Sequence, residues 1–140
     1  MKLILHTDGA ARGNPGPAGI GIVIQDEAGT TLAELGEYIG ETTNNVAEYR
    51  ALLRALQEAR RLGADSVGIR ADSELLVRQV NGQYRVRHPN LVPLHAAVMA
   101  ELKDFTSFSI AHVPRKENAR ADALANWALD RTKLAPGRFS

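Results

Sequence analysis

A layered α/β domain built on a mixed sheet is the architecture this sequence predicts, and three patterns predict it. Strand-like runs separated by turn residues open the chain, at Lys2–Thr7, Gly19–Gln25 and Thr31–Ile39. Helical and strand-like stretches then alternate to the end, the arrangement that builds crossovers on a sheet. Right-handed crossovers set the first, fourth and fifth strands parallel, while the first three form an antiparallel meander. A chain of 140 residues needs one core only, so 1–133 reads as a single domain.

Lys2-Leu3-Ile4-Leu5-His6-Thr7 is apolar at its centre on both faces, as in a central strand, and is expected to stop at Asp8-Gly9. Ala10 to Pro17 is turn chemistry whose glycine spacing fits neither phosphate-loop fingerprint, and no helix follows it. Gly19–Gln25 alternates and is β-branched, and Glu27-Ala28-Gly29 turns it into the third strand, Thr31–Ile39. From Asn45 onward Tyr49, Leu52, Leu53, Leu56 and Ala59 recur at helical spacing, giving a helix of about four or five turns that Gly63 stops. Ser66–Ala71 is the fourth strand. It runs into Asp72-Ser73, either of which suits the N-cap of a helix over Glu74–Val80. A basic link, Tyr84 to Pro89, carries Arg85, Arg87 and His88. Leu91, Leu94, Val98 and Leu102 mark a further helix from Asn90, and Thr106–His112 is the fifth strand. After the loop Val113–Glu117, the last helix turns Ala121, Leu124, Ala125, Ala128 and Leu129 to the core, with Trp127 expected in the same packing. His88 and His95 read as surface or packing residues. The tail 134–140, with Pro136 and Gly137, is expected to fray.

Composition narrows the function classes. Apolar residues at 44% and charged residues at 24% are ordinary for a globular protein and argue against disorder. The absence of cysteine excludes disulfides, thiol catalysis and thiolate metal sites, and the 4 histidines lack zinc-ligand spacing. No apolar run approaches membrane-spanning length and Met1–His6 is too short for a signal sequence, so a cytoplasmic protein without a membrane role is expected. A net charge of +1 falls short of holding a polyanion by bulk charge. Any such partner must be gripped locally.

The carboxylates carry the chemistry. Asp8, Asp72 and His112 each fall at or just past the carboxyl end of a parallel strand, the edge where open α/β sheets place ligands. Glu48 borders the apolar face of its helix and can reach that edge, and Asp122 shares a helix face with Ala125 and Leu129. Glu48 has a second reading, as the partner of an Asn45 N-cap in a capping box. Converging carboxylates repel one another unless a cation joins them. All-oxygen ligands select hard ions, Mg²⁺ first and Mn²⁺ second. Two such ions about 4 Å apart form the usual clamp for displacement at phosphorus, and His112 suits proton transfer near neutral pH.

These residues also carry a family resemblance. Thr7-Asp8-Gly9-Ala10 with Asn14-Pro15-Gly16, Thr43-Asn44-Asn45 followed by Glu48, Ala71-Asp72-Ser73, and His112 with Asn118 before Asp122 occur in the order and spacing of ribonuclease H, type 1, which the chain resembles along nearly its whole length. The resemblance implies the ribonuclease H-like three-layer fold, with helices on both faces of the five-stranded sheet. It implies Asp8, Glu48, Asp72 and Asp122 as ligands of two Mg²⁺, with Mn²⁺ as a substitute, and His112 as proton shuttle. It further implies endonucleolytic cleavage of the RNA strand of RNA/DNA hybrids to 5′-phosphate and 3′-hydroxyl ends. A monomer with no obligate protein partner is expected. Arg12, Asn14, Thr43, Asn44 and Asn45 would touch the substrate, amides reading minor-groove edges and 2′-hydroxyls. The chain departs from many relatives in having Glu41 where they carry arginine, Glu74 where bacterial members carry glutamine, and no long basic handle beyond Arg85 and Arg87. Two rival readings are a nucleic-acid-binding module on the same fold without catalysis and a nucleotide-using enzyme of the wider superfamily.

Overall fold

The computed structural model describes residues 1–139, with side chains through residue 132. The meander consists of β1 (Lys2–Ala11), β2 (Gly16–Asp26) and β3 (Thr31–Thr42). Helix α1 (Asn44–Arg61) leads to β4 (Ser66–Ala71), and α2 (Glu74–Val80) and α3 (Val92–Leu102) lead to β5 (Ser107–His112). A short 3₁₀ turn, Arg115–Asn118, then enters α4 (Ala119–Phe139). The sheet order is β3-β2-β1-β4-β5, antiparallel through the meander and parallel from β1 to β4 to β5. The predicted mixed sheet is therefore the observed one.

Alternation along β2 sets the layers. Ile20, Ile22 and Ile24 point into the core with Leu3 and Leu5 of β1 and Leu52 and Leu56 of α1, while the intervening Gly19 and Gly21 face α4. A Cβ on Gly21 would stand 1.8 Å from the carbonyl oxygen of Ala121, so α4 sits on the sheet backbone to backbone. Helices thus cover both faces. No helix among the described residues is long and apolar enough to cross a membrane.

Several boundaries differ from the sequence expectation. β1 does not stop at Asp8: Asp8, Gly9, Ala10 and Ala11 continue the ladder against Gly21, Ile20, Gly19 and Ala18. Small residues carry no alternating signal, yet their backbone groups pair as well as any others once a partner strand lies alongside. The N-cap of α1 is Thr43, not Asn45, and its hydroxyl accepts from Val46 N at 3.2 Å. Trp127 is not packed in the core. It is 47% exposed, lies beside Gly36 and carries the Arg131 guanidinium 4.6 Å from its ring centroid. The close approach of α4 admits only a stripe led by Ala121, Ala125 and Ala128, and an indole is too large for it. β4 and α2 have the bounds expected. The tail expected to fray, 134–140, lies outside the residues with described side chains.

Gly21→Ala should therefore lower stability at or above the upper end of the 1–3 kcal/mol typical of overpacking, because the obstacle is backbone. Urea unfolding checks it, through a lower midpoint at unchanged slope. An unshifted midpoint would mean that α4 is not seated on β2 in this way.

Candidate active site

The parallel register places the first two acids. Thr7 pairs with Ala71, so Asp8 and Asp72 are the next residues on neighbouring strands, whose axes lie about 4.8 Å apart. Glu48 arrives from α1, and Gly9 lets it in: a Cβ there would fall 2.3 Å from the Ala47 carbonyl carbon and 2.4 Å from Glu48 N. The Gly9 N–H donates to Glu48 Oε1 at 2.8 Å. With Thr43 as the cap, Glu48 lies beyond the first turn and does not form the capping box; its bond is to β1. Asn118, 1% exposed, donates from Nδ2 to the Thr7 carbonyl at 2.7 Å and so ties the approach to α4 to the residue before Asp8. Asp122 follows in the first turn of α4, where Asn126 Nδ2 bonds its carbonyl at 3.0 Å and its Oδ1 at 3.3 Å.

Asp8, Gly9, Ala10, Asn44, Glu48, Asp72, Arg115 and Asp122 line one cleft of about 230 Å³. Carboxylate oxygens of Asp8, Glu48 and Asp72 lie within 4.8 Å of one another. Asp8 and Glu48 are buried, at 5% and 6% exposure. Burial, and then the charges of Glu48 and Asp72, push the Asp8 carboxyl far above the usual carboxylate range. Burial and the Asp72 charge push Glu48 up to about 8, against the opposing Gly9 N–H. Such a cluster of oxygen donors fits a hard divalent cation, which would remove the repulsion that raises both groups. Among the described residues that line the cleft the one cation is Arg115, 3.5 Å from Asp122 and largely solvent-exposed.

The other residues singled out in the sequence divide. His112 is exposed at the end of β5, opposite Ala71 in the register and one step from Asp72 along the edge, but it does not line the cleft. Asn44 lines the cleft and also braces it, since its N–H donates to Asn14 Oδ1 at 3.0 Å and its Oδ1 accepts from Ala11 N at 3.3 Å. Asn14, Thr43 and Asn45 instead line a second groove with Gln79, Arg85 and Arg87. Arg12 is turned to α4, paired with Asp130 at 2.8 Å and donating to Asn126 Oδ1 at 3.2 Å. Glu74 is paired with Arg78 at 3.3 Å. Sequence reasoning missed the Gly9 donor, for which the Asp-Gly pair was a signal, and Arg115, for which there was none.

The chain is similar to known proteins along most of its length. Residues 6–128 match the family model described as reverse transcriptase-like. The chain is similar to ribonuclease HI of Halobacterium salinarum, at 47% identity over 89% of this chain and 63% of that protein. It is also similar to a bifunctional protein of Mycobacterium tuberculosis, at 44% identity over 93% of this chain and 36% of the relative. It therefore spans about a third of the mycobacterial relative and under two thirds of the halobacterial one. Among solved structures, RNase H1 from Halobacterium salinarum superposes with a TM-score of 0.91 at 45% identity, over 93% of this chain and 98% of that one. LC11-RNase H1 in complex with an RNA/DNA hybrid superposes with a TM-score of 0.89 at 50% identity, over the same shares.

The raised acids set a pH dependence for the metal-free protein. A carboxyl whose folded pKa lies above its unfolded value keeps more protons when folded, so its stabilising effect is complete below about pH 4 and lost as pH rises through the folded value, about 8 for Glu48. In chelator the melting temperature should fall over that window, and Asp8→Asn should melt no lower than the parent at pH 8. Added Mg²⁺ should raise the parent's melting temperature more than the variant's, the parent gaining about 1.4 kcal/mol of stability at ten times the ion's dissociation constant. Equal Mg²⁺ shifts in differential scanning fluorimetry would separate Asp8 from any metal site.

Proposed function

The chain belongs to the type 1 ribonuclease H family, and on that premise we propose that it hydrolyses the RNA strand of RNA/DNA hybrids at the carboxylate cleft, leaving 5′-phosphate and 3′-hydroxyl ends. The observation that carries this reading is the meeting of Asp8, Glu48 and Asp72 oxygens within 4.8 Å, in a chain 50% identical to an RNase H1 solved with a hybrid. Hydrolysis adds the oxygen of water to phosphorus and breaks the bond to the 3′ oxygen, which leaves with a proton.

Asp8, Glu48, Asp72 and Asp122 would hold two divalent ions. When bound there, Mg²⁺, or Mn²⁺ in its place, would supply Lewis acidity for an attacking water and for the leaving oxygen. The protein's part is preorganisation. The Gly9 N–H keeps Glu48 aimed into the cleft, and Asn118 fixes the strand that carries Asp8. The exposed imidazole of His112, on a strand end beside Asp72, exchanges protons with solvent and with the reacting groups. The Asn44 and Asn45 amides, on the first turn of α1, read sugar hydroxyls and base edges across a wide, shallow minor groove. The protein acts as a monomer in the cytoplasm.

Labelled RNA/DNA hybrid, double-stranded RNA and single-stranded RNA, each with Mg²⁺ or Mn²⁺ on one gel, test the reading. Cleavage is expected in the RNA strand of the hybrid and should be abolished in Asp8→Asn, Glu48→Gln and Asp72→Asn with the fold retained. Near-normal cleavage by Glu48→Gln would overturn the assignment of the cleft. His112→Ala should slow turnover about 10²- to 10⁴-fold and flatten the pH–rate profile, as loss of a positioned proton carrier does. An unchanged profile would remove the histidine from the chemistry.

A further inference from the structure

Asp122 is held less firmly by the fold than the other acids of the cleft. Asp8 and Glu48 are buried, Asp72 follows directly on β4, and oxygens of these three lie within 4.8 Å of one another. Asp122 stands outside that trio, on the first turn of α4, with its side chain 27% exposed. A partly exposed aspartate on a helix has more than one staggered rotamer open to it, whereas a carboxylate that binds an ion must hold one. Something else has to aim it.

A stripe of α4 does so. Asp122, Asn126 and Asp130 follow one another at intervals of four and share a face of the helix. Asn126 spans the acid with its Nδ2, 3.0 Å from the Asp122 carbonyl and 3.3 Å from Oδ1. The amide helps in one orientation only, since turned over it would set its oxygen against the carboxylate. Arg12 fixes that orientation. Its Nη2 donates to Asn126 Oδ1 at 3.2 Å while its Nη1 pairs with Asp130 at 2.8 Å, so the planar fork bridges two turns of the stripe. The Arg12 N–H in turn donates to the Pro17 carbonyl at 2.8 Å, which fastens the arginine to the loop between β1 and β2. As an exposed ion pair, Arg12–Asp130 contributes little stability by itself. The link through Asn126 carries it to the acid. Arg115 lies 3.5 Å from the same Oδ1. With both donors on Oδ1, Oδ2 is the oxygen left for an ion.

We propose that Asn126 is the positioning residue of Asp122, and that Arg12, anchored on Asp130, acts through it by holding the amide the right way round. This rests on the hybrid-cleaving reading, in which Asp122 is a ligand of a divalent ion. The ligand oxygen is then set before the ion arrives. Arg12 touches no substrate in this arrangement, in contrast to the contact that the family resemblance implies for it.

Calorimetric titration with Mn²⁺ tests this on the parent, Asp122→Asn, Asn126→Ala and Arg12→Ala. Asn126→Ala should weaken Mn²⁺ binding about tenfold, as loss of a residue that orients a ligand does, and Arg12→Ala should weaken it less. Neither should have a further effect in the Asp122→Asn background, nor Arg12→Ala once Asn126 is replaced, whereas a general loosening of the fold would add in both. With hybrid as substrate, both variants should lower kcat, recover part of it as Mn²⁺ is raised, and leave KM for the hybrid unchanged. Arg12→Ala, in an exposed loop, serves where Asn126→Ala fails to fold. Unchanged Mn²⁺ affinity in Asn126→Ala, or an equal loss with Asp122 already replaced, overturns the positioning role. A raised KM with unchanged Mn²⁺ affinity in Arg12→Ala returns the arginine to the substrate and overturns its part. If the parent cleaves hybrid while Asn126→Ala binds Mn²⁺ as the parent does, this inference alone falls; if the parent neither binds Mn²⁺ nor cleaves hybrid, both readings fall.

Discussion

One contact holds the candidate site together: the N–H of Gly9 on the carboxylate of Glu48, made where α1 and β1 touch backbone to backbone. Any side chain at Gly9 would collide with Ala47 and Glu48 and lift the helix off the strand. The contact matters because the two elements belong to different layers. It brings a helix acid level with two strand acids, and the buried carboxylates that result could not all be charged without a cation.

The supports of this contact come from the whole chain. Asn14 holds the first turn of α1 through the Asn44 N–H, and Asn118 holds the strand through the Thr7 carbonyl. Asn126 bonds Asp122 and accepts from Arg12, so the loop after β1 and the start of α4 share one polar chain. Asparagine serves here because its amide can donate to a backbone carbonyl, as Asn118 does, or accept from a backbone N–H, as Asn14 and Asn44 do, without adding charge beside the acids. This gives the asparagines of the family motifs a second task besides the substrate contacts proposed for Asn14, Asn44 and Asn45.

Legibility in the sequence followed signal strength. β4 and α2 were bounded correctly because β-branched and helical periods are interrupted there by strong caps, Ser73 and Asn81-Gly82. The end of β1 was not, because Gly9, Ala10 and Ala11 have no side-chain period and depend on β2 for their pairing. Glu48 reads two ways in the sequence because Asn45 lies three residues before it; with Thr43 as the cap, the capping box is not formed. Trp127 was misplaced because hydrophobicity alone sends a tryptophan inward, and only the glycines of β2 reveal how little room α4 leaves. Asp8 and Asp72 are legible together because strand ends in a parallel sheet share an edge, and Glu48 and Asp122 because each borders the apolar face of its helix. Arg115 and the Arg12–Asn126 contact were not, since nothing local in sequence signals a partner 114 positions away.

The seating of α4 on the glycines of β2 also bears on when the protein becomes competent during synthesis. Asp8, Glu48 and Asp72 are made early, but Asp122 and the Asn118 brace arrive with the last helix, and that helix docks on a strand laid down about a hundred residues before it. Contacts of such separation form late, after the loops between them have closed. A chain that has formed β1, α1 and β4 without α4 has three of its acids but an open face on β2, and lacks the fourth acid. Docking of that helix and completion of the cleft are therefore one event.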